Sequence, residues 1–299
     1  MDYQDARKDL GALLPGRDID SAPSRRQALQ MALGVAGYAA AAGPAVAQTA
    51  IATPADGLTA GWVSVPSTGF DMQVYRAQPA GKTGLPVVLV IQEIFGVHAY
   101  IQDVCRRLAQ AGYLALAPQL YARQGDAAQF GEPAKLMAEL VSKVPDAQVL
   151  GDLDATVKWA GAHGGDVARL AVTGFCWGGR ITWLYAAHGP VKAGVAWYGR
   201  LVGQASEMTP KHPVDVTPIL KAPVLGLYGE KDSGIPLDSV DKMKAALASG
   251  SPAAKASEFV VYPDAPHAFH ADYRASYRKE PAEEGWKRAL AWFKAHGVA

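Results

Sequence analysis

The 299-residue chain contains no asparagine. Asn-X-Ser/Thr glycosylation is therefore excluded, and so is a papain-type Cys-His-Asn arrangement. Only two cysteines are present, Cys105 and Cys176, too few for a disulfide framework. The charge is balanced, 29 Lys/Arg against 28 Asp/Glu, so no basic field is available to hold a nucleic-acid backbone. Long apolar runs are missing as well. A weakly apolar, Ala- and Gly-rich stretch from Met31 to Gly43 ends at Pro44, short of the ~20 residues that span a membrane. The triplet Gly81-Lys82-Thr83 has Arg76 where a phosphate loop needs its first glycine, and it precedes a strand instead of following one. What the chain does have is a hydrophobic fraction of 49%, enough to fill a core.

Residues 1–47 read as an address. Ser24-Arg25-Arg26-Gln27-Ala28-Leu29 resembles a twin-arginine export signal, and Ala45-Val46-Ala47 fits small-x-small cleavage before Gln48. The expectation is a removed leader over 1–47, one domain over 48–299, a periplasmic or secreted product and no lasting membrane anchor. With a signal that does not function, the expected location is the cytoplasm. Five Lys/Arg and five Asp fall in the leader, so the charge balance survives its removal.

Strand and helix patterns then alternate. Trp62–Val65 and Asp71–Tyr75 alternate around Pro66-Ser67-Thr68-Gly69 and predict a hairpin. Pro86–Ile91 is a continuous apolar run, the mark of a strand covered on both faces. Helical spacing follows over Tyr100–Ala111, then strand over Tyr113–Ala117, helix over Gln148–Ala162, strand over Arg169–Thr173 and helix over Trp177–Ala187. Val191–Trp197, Pro223–Tyr228 and Glu258–Tyr262 read as strands, and Ser239–Ala248 and Glu284–His296 as helices. Repeated β-α-β units predict an α/β fold, a mostly parallel sheet with helices on both faces.

In such sheets chemistry gathers beyond the carboxyl ends of the strands. After Thr173 comes Gly174-Phe175-Cys176-Trp177-Gly178-Gly179, the nucleophile-elbow pattern with cysteine in the serine position. The glycines are needed because side chains two places either side of the nucleophile would strike neighbouring backbone. The thiol then projects at a helix N-terminus, which favours thiolate. A buried structural cysteine is the plainer alternative. Gly229-Glu230-Lys231-Asp232 and Asp264-Ala265-Pro266-His267 follow two later strands, so the order Cys176, Asp232, His267 is that of an α/β-hydrolase triad. Glu230 and Asp264 compete for the acid position, and His270 for the histidine. A metal at His267-x-x-His270 lacks a third ligand nearby. Beyond Ile91 lies Gln92-Glu93-Ile94-Phe95-Gly96, where a loop N–H, that of Ile94, can pair with that of Trp177 as an oxyanion hole. Glu93 is either a carboxylate needing a partner or a solvated loop residue. Cys105, on a helix, reads as core.

Gln92–Gly96, Leu120-Tyr121-Ala122-Arg123, Gly174–Gly179, Gly229–Asp232 and His267-Ala268-Phe269, in this order, together resemble the dienelactone hydrolase (carboxymethylenebutenolidase) family from about residue 60 onward. The resemblance implies an α/β-hydrolase fold, a Cys176-Asp232-His267 triad, and a Glu93 that touches the resting thiol until a carboxylate-bearing substrate shifts it. It implies no cofactor, and it places Arg123, with Tyr121 in the same segment, on the substrate. The family's second carboxylate-binding arginine is replaced here by Ala271, and Arg274 is the candidate substitute. The expected protein is a monomeric hydrolase of a lactone or carboxylic ester acting through a thioester acyl-enzyme. A thioesterase or general esterase on the same triad, and a non-catalytic binding or redox protein, are the alternatives.

Overall fold

A computed structural model describes residues 50–299, so the leader expected over 1–47 lies outside the described residues. Eight strands form one sheet in the order β1-β2-β4-β3-β5-β6-β7-β8. They are β1 Leu58–Ser67, β2 Phe70–Pro79, β3 Leu85–Ile91, β4 Leu114–Pro118, β5 Gly165–Phe175, β6 Ala193–Trp197, β7 Val224–Gly229 and β8 Glu258–Tyr262. β1 and β2 pair antiparallel, as do β2 and β4, and every later pairing is parallel. The main helices are α1 Ala99–Gln110, α2 Asp146–Ala162, α3 Trp177–His188, α4 Leu237–Ser249 and α5 Lys279–Ala295. No helix among the described residues is long and apolar enough to cross a membrane.

The layers follow from the residues. Val87 to Ile91, Leu114 to Ala117 and Ala193 to Trp197 carry small or β-branched apolar side chains, and nearly all are buried, as strands covered on both faces require. α1 turns Ile101, Val104, Cys105 and Leu108 inward at helical spacing, and Cys105 is wholly enclosed. Its burial holds that thiol well above its ordinary pKa, so it stays protonated and inert.

Two boundaries differ from the sequence reading. The hairpin strands run longer, because Pro66 sits inside β1, an edge strand whose outer side needs no N–H. Only Thr68-Gly69 make the turn, with φ of 30° and 71°, both of the sign a two-residue hairpin loop needs. α5 begins at Lys279, ahead of Pro281, because proline is tolerated in a helix's first turn. The stretch after β4 forms short helical turns over 127–143.

The sheet and α3 meet where backbones nearly touch. A Cβ on Gly178 would lie 2.4 Å from the Ile91 carbonyl oxygen and 2.5 Å from that of Gln92. One on Gly131, in contrast, would meet nothing within 4 Å. Gly178→Ala is therefore expected to lower unfolding stability by about 3 kcal/mol. Gly131→Ala should change it by less than ~0.5 kcal/mol. Denaturant midpoints of the two variants check this, and equal midpoints would refute the contact argument.

Candidate active site

β5 ends at Phe175, and the chain turns into α3 through Cys176, whose φ is 55° and ψ −114°. A non-glycine residue holds such a conformation only where its surroundings enforce it. Here they do. The Cys176 N–H donates to the Trp197 carbonyl at 3.0 Å, tying the turn to β6. A Cβ on Gly174 would lie 2.2 Å from the Gly178 carbonyl oxygen, and one on Gly179 would lie 2.5 Å from that of Trp197. Gly199, just past β6, would strike Gly179 at 2.3 Å. The sulfur is thus set at the head of α3, where Trp177, as first helical residue, has no acceptor for its N–H within the helix.

The two loops beyond β7 and β8 are stitched together. Glu230 N–H donates to Tyr262 and Lys231 N–H to the Ala265 carbonyl, and a Cβ on Gly229 would lie 2.1 Å from the Ala265 oxygen. This brings Asp232 to His267. Asp232 Oδ2 lies 2.7 Å from His267 Nδ1, while Oδ1 accepts from the Gly234 and Ile235 N–H groups at 2.9 and 3.1 Å. Asp232 and His267 are both buried, whereas Glu230 and Asp264 reach solvent and share Lys231. Of the three candidate carboxylates, Asp232 is the one in contact with His267.

With Nδ1 committed to Asp232, Nε2 of His267 is left buried, with the Cys176 sulfur as a neighbour of the ring. Burial pushes the imidazole pKa down, but Asp232 and the neighbouring Cys176 sulfur outweigh it and hold it well above the ordinary histidine value. Cys176 and His267 line one pocket, with Ile94 and Trp177 beside them. The competing His270 turns elsewhere. Its Nδ1 lies 2.6 Å from the Tyr100 hydroxyl, it is packed among Phe175, Trp197 and Trp286, and its pKa is pushed well below the usual by that burial.

Glu93 is fully buried behind this pocket. Its Oε2 accepts from the Tyr273 hydroxyl at 2.8 Å and lies 3.3 Å from His98 Nε2, while Oε1 has no hydrogen-bond partner. No hydrogen bond joins it to Cys176. In place of the expected thiol contact, Tyr273 and His98 take Oε2.

The substrate-side arginines also sit differently from expectation. The Arg123 guanidinium pairs with Asp152 at 2.5 Å, donates to the Ser67 carbonyl at 2.9 Å and covers the Phe70 ring, so it clamps the β1–β2 turn and does not line the pocket. Tyr121 is buried edge-on to Trp177, with ring centroids 5.0 Å apart, and supports the pocket wall from behind. Arg274 lies over Phe95, and its charge bears on Glu93. The arginines that do line the pocket are Arg180 and Arg200, with no Asp or Glu among the lining residues. Arg180 is bound through both Nη atoms to Asp146 at 2.7 Å. Arg200 follows Tyr198, whose φ is 38°, beyond the end of β6. Sequence reasoning passed over both. The strand-end rule held the signal for Arg200, since it lies three residues past Trp197, while Arg180 hid inside a helix.

Comparison with known proteins agrees with this geometry. The model of the "Dienelactone hydrolase family" matches residues 72–297. A protein of Methylorubrum extorquens is 59% identical over 92% of this chain and 94% of its own length, and one of Escherichia coli K12 is 57% identical over 87% and 96%. Both are named "Putative carboxymethylenebutenolidase". A Bradyrhizobium protein, 31% identical over 79% of this chain and 94% of its own, is named "Probable 2-oxo-3-(5-oxofuran-2-ylidene)propanoate lactonase". A crystal structure of a "Putative Dienelactone Hydrolase" from Klebsiella pneumoniae is 59% identical, covers 79% of this chain and 98% of that one, and superposes with a TM-score of 0.77. The matched span takes in the cysteine elbow, the acid loop and the histidine loop alike, and the chain belongs to the dienelactone hydrolase family.

Proposed function

We propose that this hydrolase opens a lactone or carboxylic ester through a thioester on Cys176, with preference for a substrate carrying a carboxylate. The observation that carries the reading is the buried Asp232–His267 pair sharing a pocket with a cysteine held in a strained elbow. His267 Nε2 takes the thiol proton, and the sulfur attacks the carbonyl carbon. The resulting oxyanion lies against the N–H groups of Ile94 and Trp177, each such donor lowering the barrier by ~3 kcal/mol. The C–O bond breaks, and the leaving oxygen receives the proton from His267. Water then gives its proton to the same nitrogen and attacks the thioester, the C–S bond breaks, and the thiol is restored. Asp232 fixes the tautomer that exposes Nε2 throughout.

The anionic preference rests on charge. Arg180, held by Asp146, and Arg200 both line the pocket beside the triad, and we assign the substrate carboxylate to Arg200. The lactone named for the Bradyrhizobium relative carries a carboxylate, which supports the same class. A thioesterase or neutral esterase would use the same triad without using that charge. The redox alternative is disfavoured because Cys105 is enclosed in the core on α1. The leader-like residues 1–47 support an exported mature form.

Cys176→Ala is expected to lower kcat on an activated ester by roughly 10³-fold or more. Asp232→Asn, which presents the wrong tautomer, should lower it by a similar order, roughly 10³- to 10⁴-fold. Steady-state rates on purified variants measure both, and wild-type turnover by Cys176→Ala would end the proposal. Arg200→Ala should raise KM for a carboxylate-bearing ester about tenfold, with a neutral ester unaffected. Arg123→Ala should leave both KM values alone while lowering Tm. Equal effects of Arg200→Ala on the two esters would remove Arg200 from substrate binding.

A further inference from the structure

The pocket around Cys176 is nearly full. Its cavity is about 20 Å³, and one water takes up roughly 10–15 Å³ on the same measure. The acyl group stays bonded to sulfur until water attacks, so this space must grow before the reaction runs. It can grow only where a wall gives way, and most of the walls are tied. The helix α3, which carries Trp177 and Arg180, is pressed backbone to backbone against β3 and β6, and Arg180 is bound to Asp146 at 2.7 Å. Tyr198 N–H donates to the Leu227 carbonyl at 2.8 Å, and Gly199, beside Arg200, is packed against Gly179. Ile235 N–H donates to Asp232, which also holds His267. Ile94 lies between Glu93 and Gly96, whose backbones pair, and Val97 N–H donates to Gln119 at 3.3 Å.

Met137 differs from the other wall residues. It stands in one wide helical turn, Leu136–Leu140, within the short turns over 127–143. Among the described residues, the hydrogen bonds of that run close on itself and its immediate flanks. Phe130 N–H donates to Ala127, Leu136 N–H to Glu132, Val141 N–H to the Leu136 and Met137 carbonyls, and Ser142 Oγ to Ala138. Leu136, Met137, Leu140 and Val141 are buried, whereas Lys135, Glu139 and Lys143 face solvent. Apolar contact, which makes no directional demand, holds the run down. Its two ends are fixed, since Gln124 is joined to Gln148 of α2 at 2.7 Å and Asp146 to Arg180. The run is therefore a strap between two anchors, with Met137 set in the pocket wall. We propose that Met137 is a specificity-determining residue: the strap lifts to admit the acyl group, and the Met137 side chain, unbranched and freely turning, sets how large a group fits beside Cys176. The favoured substrates are esters or lactones whose acyl part is short and unbranched next to the carbonyl. This rests on the thioester reading, because the group bonded to sulfur is the one that must fit.

The test has two readouts, taken on wild type, Met137→Ala, Met137→Leu and Met137→Phe, with thermal melts to confirm folding. The first is kcat/KM for p-nitrophenyl acetate, butyrate and hexanoate. Extra methylenes against a tight apolar wall are worth about tenfold or more in selectivity, so the wild-type value should fall by at least about that factor from acetate to hexanoate. The fall should nearly vanish in Met137→Ala, persist in Met137→Leu and steepen in Met137→Phe. A residue that served packing alone would scale all three esters together, and that result overturns the proposal. The second readout is the rate at which N-methylmaleimide and N-phenylmaleimide alkylate Cys176, each relative to free glutathione. Cys105 is enclosed and held protonated, so the label reports Cys176. Met137→Ala should raise the N-phenylmaleimide rate several-fold more than the N-methylmaleimide rate, and equal changes would also overturn the proposal. Alkylation needs no turnover. Wild-type turnover by Cys176→Ala would end the thioester reading, while the ratio of the two maleimide rates decides separately whether Met137 gates the sulfur.

Discussion

The site depends on backbone contact closer than any side chain permits. Gly174, Gly178, Gly179 and Gly199 bring β5, β3, β6 and the head of α3 together at distances where a Cβ would lie 2.2–2.5 Å from a neighbouring backbone atom. That closeness is what holds Cys176 at positive φ with its N–H on the Trp197 carbonyl. The strain in the cysteine is local, while the forces that impose it come from the packed sheet. The thiol therefore presents itself before any substrate arrives.

Around that fixed sulfur the charges are kept apart. On one side Asp232 lies against His267 Nδ1 and raises the imidazole's pKa, with Oδ1 anchored by two N–H groups of its own loop. Behind the pocket Glu93 is satisfied by Tyr273 and His98 and makes no bond to the thiol. Arg180, matched by Asp146, and Arg200 line the same pocket. Asp232, Glu93 and Arg180 are each held by partners of their own. A buried pocket tolerates this many of them only on that condition.

Much of this was legible in the sequence. Parallel strands buried on both faces announce themselves as unbroken apolar runs, and β3, β6 and β7 lie within one or two residues of where those runs predict them. The elbow was legible because its glycines are spaced by sterics, and Asp232 and His267 because they follow strands at loops bounded by glycine or proline. What could not be read were choices made by tertiary contact. Arg123 stands in a segment that resembles a substrate-binding one, yet the β1–β2 turn supplies Ser67 and Phe70, and α2 supplies Asp152, to capture its guanidinium. Glu93 has the position expected of a thiol partner, but Tyr273 and His98, 180 and 5 residues away in sequence, reach it instead. Arg180 looks like any helical arginine until Asp146 is brought under it by the fold.

The central claim is that the acyl group of the substrate passes through the sulfur of Cys176. Its most direct test is the mass of the intact protein, quenched in acid within milliseconds of mixing with an activated ester, followed by peptide mapping. The account predicts an adduct of the acyl mass on the peptide bearing Cys176, lost on a timescale that matches turnover and absent from Cys176→Ala. Product release at full rate with no adduct on that peptide, or with the adduct on another residue, would contradict it.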